Sequence, residues 1–163
     1  MSEIIKVGMA DLKVCKPPDG LTTLGLGSCV GVALRDPILK IGGLVHIMLP
    51  DSTAIRGSYN NPAKFADTGI EELIREMEMM GARRSRLTAK LAGGATMFAV
   101  ATRSSDVGMI GDRNVKACKT ILERMKIPIL AENTGANYGR TVIFYPDSGD
   151  YHIRAVGKDV III

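Results

Sequence analysis

Three side chains able to carry out nucleophilic chemistry, Thr23, Cys29 and His46, lie within one short stretch of the chain. A thiol beside an imidazole is the pairing by which a cysteine becomes a nucleophile near neutral pH. The glycine-rich bend Gly25-Leu26-Gly27 delivers Cys29 to the start of the apolar run Val30 to Leu34. The chain turns at Asp36-Pro37 and returns through Leu44-Val45-His46-Ile47-Met48-Leu49. Read as an antiparallel hairpin with its turn centred between Pro37 and Ile38, the two runs set Cys29 opposite His46. Directly opposed residues sit about 5 Å apart at Cβ, whereas a one-residue slip would send them to opposite faces. Bends of this kind expose a nucleophile and free backbone N–H groups that can hold an oxyanion. Either Thr22 or Thr23 could orient the imidazole. From spacing alone, a small buried Cys29 and a satisfied core His46 fit the same pattern.

The elements that must position these residues follow from periodicity and punctuation. The second arm of the hairpin is apolar on both parities, as expected of a strand covered on both faces. Ile4 to Ala10 reads as a first strand, which Val14-Cys15-Lys16 continues before the turn Pro17-Pro18-Asp19-Gly20. A polar loop runs from Asp51 to Asn60. Asn61-Pro62 caps a helix over 62–80, with apolar residues from Phe65 to Met80 every three or four positions and Gly81 as its stop. Its methionines fit core packing. Leu87 to Ala92 is a strand ending at Gly93-Gly94, a pair suited either to an anion or to a close backbone crossing. A polar loop from Thr102 to Gly108 precedes a second helix, capped by Asp112 and running to about Met125, with Val115, Cys118, Ile121, Leu122 and Met125 inward. Strands follow at 127–131, 140–145, 151–156 and 160–163. Two helices among some eight strands predict an α/β or α+β fold, a layered β-sheet sandwich with the two main helices packed outside.

At 163 residues the chain is expected to form a single domain, 1–163, able to bury about two thirds of its unfolded surface. No signal peptide or membrane span is read from its apolar runs. The cysteines Cys15, Cys29 and Cys118 are odd in number and without a CxxC spacing, so neither a disulfide framework nor a zinc site is expected. A reducing cytoplasm suits them. Cys15 and Cys118 read as structural thiols and His152 as a structural histidine. The net charge is only +4, aromatics make up 4%, and Trp is absent. The one basic cluster, Arg83-Arg84-Ser85-Arg86, therefore lacks stacking platforms for nucleic acid and reads as a solvated turn after a helix. Gly25-Leu26-Gly27 does not open a helix, and its third glycine, Gly31, comes one position late for a dinucleotide fingerprint.

Several motifs, in order along nearly the whole chain, resemble the chemoreceptor glutamine deamidase family, CheD. They are Thr23-Leu24-Gly25-Leu26-Gly27-Ser28-Cys29-Val30, His46-Ile47-Met48-Leu49-Pro50-Asp51-Ser52, Lys64-Phe65-Ala66-Asp67-Thr68, Lys90-Leu91-Ala92-Gly93-Gly94-Ala95 and Gly111-Asp112-Arg113-Asn114. The resemblance implies a catalytic triad of Cys29, His46 and Thr23. It also implies a fold similar to the catalytic domain of the deamidating cytotoxic necrotizing factors, methyl-accepting chemoreceptors as substrates and a CheC-family phosphatase as regulator. No cofactor or metal is expected. In the loop Glu132 to Arg140, Asn133 and Ala136 stand where the family often has an acidic residue and a glycine. Two competing functions are a thiol hydrolase of another amide and a non-catalytic adaptor that binds the receptor or the phosphatase.

Overall fold

The computed structural model describes residues 2–53, 61–97 and 109–163; the expected loop segments at 54–60 and 102–108 lie outside them. Among the described residues, ten strands form two five-stranded sheets and two α-helices cover one of them. The first sheet has the order β1 (Ile4–Lys6), β3 (Gly20–Leu26), β8 (Arg140–Tyr145), β9 (Asp150–Arg154), β10 (Ile161–Ile162). The second runs β2 (Leu12–Cys15), β5 (Ile41–Ile47), β4 (Val30–Asp36), β6 (Thr88–Gly93), β7 (Ile129–Thr134). This is an α+β layered fold in which the second sheet is the middle layer.

The apolar pattern of the central strands explains that position. In β4, Val30, Val32 and Leu34 point to the helices, while Ala33 points to the first sheet. In β5, Val45 and Ile47 face the helices, Leu44 faces the first sheet, and all seven residues are buried. The strand apolar on both parities is therefore covered on both sides, as its sequence required. Helix α1 (Ala66–Met79) contributes Ile70, Leu73, Ile74 and Met77 to the outer core, and α2 (Ile110–Arg124) contributes Cys118 and Leu122. Between the sheets, Leu21, Leu26, Val142, Phe144 and Tyr151 pack against Leu44 and Ala92. The Tyr151 hydroxyl donates to the Gly31 carbonyl at 2.9 Å, tying the sheets together.

Several boundaries differ from the sequence expectation. β1 and β2 do not form one continued strand but belong to different sheets. The chain turns at Ala10, with φ 53°, and Asp11 accepts from the Gly8 and Leu12 N–H groups there. β3 likewise lies in the first sheet, so the hairpin proper comprises only β4 and β5. Asn61 accepts from the Ala63 N–H, but it caps a one-turn 3-10 helix (Pro62–Lys64), and α1 begins after Phe65. Asp112 sits inside the first turn of α2, and Met109 takes the cap position. Cations of the basic cluster are ion-paired: Arg84 with Glu71 and Glu78, Arg86 with Asp36.

The turn between β4 and β5 corrects the expected pairing. It holds four residues, Pro37 to Lys40, and Lys40 adopts φ 57°. Its centre lies between Ile38 and Leu39, so Gly31 faces His46 and Cys29 does not. A two-residue shift keeps each side chain on the same side of the sheet, and Cys29 still packs against the core between the sheets.

One carboxylate fixes this turn. Asp36, fully buried, accepts from the Ile38 and Leu39 N–H groups, from the Arg83 N–H and from the Arg86 guanidinium at 2.7 Å. Burial alone would raise its pKa, but the Arg86 hydrogen bonds and the three N–H donors outweigh it and hold the carboxyl at about 2, below its ordinary 3.8. A carboxyl depressed on folding stabilises the native state above its unfolded pKa and loses that contribution as pH falls through the folded value. Asp36→Asn should therefore cost about 2 kcal/mol near neutral pH. Urea unfolding should show the gap between parent and variant closing between about pH 4 and pH 2. A gap that widened toward acid would contradict the assignment.

Candidate active site

β3 ends at Leu26 in the first sheet and β4 begins at Val30 in the second, so residues 27–29 must cross the gap between the layers. The crossing starts at Gly25, whose φ of 67° suits glycine. All three crossing carbonyls are then held from one side. Gly27 O accepts from the Ala95 N–H and Cys29 O from the Gly94 N–H, both at 2.8 Å. Ser28 O accepts from Asn114 Nδ2 at 2.9 Å. The Gly93-Gly94 pair is thus a close backbone crossing: a Cβ on Gly93 would collide with the Cys29 carbonyl oxygen.

Thr23 and His46 meet between the sheets, each 1% exposed. Thr23 Oγ1 lies 2.7 Å from the Val7 carbonyl oxygen and 2.7 Å from His46 Nδ1. A hydroxyl has one proton, and a carbonyl can only accept. The Thr23 hydroxyl therefore donates to Val7 and accepts from His46 Nδ1–H. That assigns the tautomer: Nε2 carries the lone pair. Nε2 is buried and has no hydrogen-bond partner among the described residues. Thr22 points the other way, its hydroxyl donating to the Val142 carbonyl at 2.7 Å. Of the two threonines left open by the residue types, only Thr23 reaches the imidazole.

The three cysteines separate by burial. Cys15 and Cys118 are buried, and burial pushes both thiols up to about 12. Cys15 Sγ makes a weak bond to the Asp19 carbonyl at 3.6 Å, and Cys118 is packed in the outer core. Cys29 alone is partly exposed. Burial raises its pKa above the ordinary 9.0 and lowers that of His46 below 6.5. Desolvation is the cause of both shifts, and each favours the neutral form, thiol at Cys29 and imidazole at His46.

Asn114 was absent from the inward stripe read from the sequence. It is completely buried on α2, and its Nδ2 donates to Ser28 O at 2.9 Å and to Met48 O at 3.0 Å. A polar residue one position before Val115, on the face that carries the apolar stripe, was the signal that could have marked it. The Val7 carbonyl had no such signal, because a backbone acceptor is not encoded in side-chain type. His152 stacks edge-on against Tyr145 with ring centroids 5.0 Å apart and takes no part in this constellation. No cluster of three or more His, Cys, Asp or Glu side chains suited to a metal ion occurs among the described residues. Among them, no helix is long and apolar enough to cross a membrane.

The family model for CheD chemotactic sensory transduction matches residues 48–155. A probable chemoreceptor glutamine deamidase CheD of Lachnoclostridium phytofermentans is 58% identical over 158 residues, covering 97% of each chain. Its counterpart in Caldanaerobacter subterraneus subsp. tengcongensis is 55% identical, covering 98% of this chain and 97% of its own. The chemoreceptor glutamine deamidase CheD of Halalkalibacterium halodurans is 49% identical over 96% of both. The family model begins after His46, but these alignments cover nearly the whole length, and a relative at 58% identity over 158 residues leaves no ambiguity of fold or family. The chain belongs to the CheD family.

Proposed function

We propose that this chain hydrolyses the side-chain amide of glutamine residues in chemoreceptors, leaving glutamate and releasing ammonia. The observation that carries the reading is His46: its Nδ1–H is spent on Thr23, and its Nε2 lone pair is buried with no hydrogen-bond partner among the described residues, Cys29 Sγ included, in the layer between the sheets against which Cys29 also packs. Its relatives' names, chemoreceptor glutamine deamidase, supply the substrate class.

In this mechanism Nε2 takes the proton from the Cys29 thiol as Sγ attacks the carboxamide carbon. The C=O electron pair moves onto oxygen, where backbone N–H groups of the bend receive it. His46, now protonated, passes its proton to the amide nitrogen as the C–N bond breaks, and ammonia leaves. A water molecule, deprotonated at Nε2, attacks the thioester, and the C–S bond breaks to return the thiol and yield glutamate. Thr23 holds the ring by Nδ1 throughout, which leaves Nε2 as the nitrogen that exchanges protons in every step. The sequence consumes one water and needs no cofactor. Family membership further supports a CheC-type phosphatase as regulatory partner and the cytoplasm, where three free cysteines stay reduced, as the setting.

An ammonia assay beside calorimetry on one receptor fragment tests this reading. Cys29→Ala should abolish ammonia release and leave the fragment's affinity within about twofold, because hot spots of binding are large aromatic or arginine side chains rather than one thiol. His46→Ala should cost about 10²–10⁴-fold in turnover. Thr23→Ala should cost less than that but more than Thr22→Ala. Ammonia release that survived Cys29→Ala would sink the cysteine mechanism, and a parent chain that bound the fragment but released no ammonia would leave an adaptor.

The neutral resting pair also sets the pH profile. His46 must be unprotonated to act, so the acid limb of kcat/KM should have its midpoint below 6.5. Cys29 must bring its own proton, so activity should not decline until above pH 9.0. Alkylation by iodoacetamide, which needs the thiolate, should label Cys29 before Cys15 and Cys118 and keep accelerating through pH 9. A basic limb near pH 8, with alkylation already level at neutrality, would show a preformed ion pair instead.

A further inference from the structure

We propose that Asn114 is a positioning residue for the oxyanion donor of this reaction. By holding the Ser28 carbonyl, it turns the N–H of the same peptide, that of Cys29, toward the substrate oxygen. The proposal rests on the deamidase reading above.

The argument is geometric. The Ser28–Cys29 peptide is trans, so its C=O and N–H point in opposite directions. The carbonyl faces Asn114, which belongs to the helix layer packed on the outer side of the middle sheet. The N–H is thereby directed to the other side, between the sheets, where Thr23 and His46 meet and where Cys29 packs. No described residue accepts from that N–H. The carbonyls before and after it are held as well, by Ala95 and Gly94, so the peptide cannot rotate without breaking bonds on either side.

Asn114 performs a second tie with the same nitrogen. Met48 O lies two residues beyond His46, so one amide group clamps the nucleophile's bend to the strand that carries the base. The orientation of that amide is unambiguous, because two carbonyl oxygens require the NH₂ end. Its Oδ1 is left buried with no partner among the described residues. Leaving a buried acceptor unsatisfied is costly, so the side chain spends its hydrogen bonding on the two carbonyls at its own expense.

The test separates oxyanion stabilisation from nucleophilicity. Iodoacetamide reacts by displacing iodide at a saturated carbon and develops no oxyanion. A peptide aldehyde bearing CHO in place of the glutamine carboxamide forms a thiohemiacetal with Cys29 and does need the donor. Asn114→Ala and the similarly sized Asn114→Leu should lower kcat about 10²-fold, with KM for the receptor fragment within twofold. Aldehyde affinity should fall by a similar factor, while the alkylation rate of Cys29 stays within twofold. Turnover and aldehyde affinity like the parent's would overturn the proposal. So would an alkylation rate that fell as far as turnover, since the whole site would then have collapsed. Should neither variant fold, the unsubstituted protein decides: the Cys29 amide proton must move downfield in its NMR spectrum when the aldehyde adduct forms, and an unmoved amide overturns the idea. A parent chain that released no ammonia would instead defeat the deamidase reading, with the aldehyde and amide-proton measurements still judging Asn114.

Discussion

A single hydrogen bond, from His46 Nδ1 to Thr23 Oγ1, constrains the rest of this structure. It spans the gap between two sheets, in a place that water does not reach. A second polar atom stranded there, beside the unpartnered Nε2, would cost about 1–3 kcal/mol more, so this bond favours the docking of the sheets that brings Thr23 to His46. Each end is in turn fixed by its own layer. Thr23 is held by the Val7 carbonyl that follows β1, and His46 by the pairing of β5 with β4 and by its N–H bond to the Asp11 carbonyl. The Asp36 turn sets that pairing, so a carboxylate at the far end of the β4–β5 hairpin determines where the imidazole stands.

The crossing at residues 27–29 is the second consequence of having two layers. A chain that leaves one sheet for the next exposes its peptide groups in transit, and these must find partners. Here the carbonyls find them in Gly94, Ala95 and Asn114, all on the side of β6 and α2. The N–H side is what remains for a ligand. On the proposed reading, the fold problem of bridging two sheets and the chemical problem of presenting N–H donors at a cysteine share the same three residues.

This division also accounts for what could be read in advance. Cys29 and His46 were placed together from a hairpin whose assumed turn was too short, yet the two-residue error preserved facing, because side chains alternate with a period of two. The buried character of β5 and the inner faces of both helices were legible because apolar periodicity reports burial directly. Which sheet a strand joins is a different matter. Nothing in Ile4 to Cys15 distinguishes one long strand from two strands in separate layers, because that choice is made by the Asp11 turn and by pairing with residues far away in the chain. Thr22 and Thr23 were equivalent by residue type, and only the facing of β3 separates them.

The neutrality of the site bears on its direction. Burial alone shifts both Cys29 and His46, and no nearby charge contributes to either shift. Such an environment accepts a carboxamide, which is polar but uncharged, more readily than a carboxylate, which must shed its hydration without gaining a counter-ion. Substrate and product of deamidation differ by that change. In the proposed mechanism glutamine approaches the thiol at little electrostatic cost, and the glutamate formed by hydrolysis of the thioester leaves surroundings in which burial, not charge, governs both groups. In that mechanism desolvation has two effects: it favours the protonated, less reactive thiol at rest, and it favours departure of the charged product. A standing thiolate–imidazolium pair would have forfeited both, since its cation would attract the carboxylate and its thiolate would be open to alkylation and oxidation before any receptor arrived.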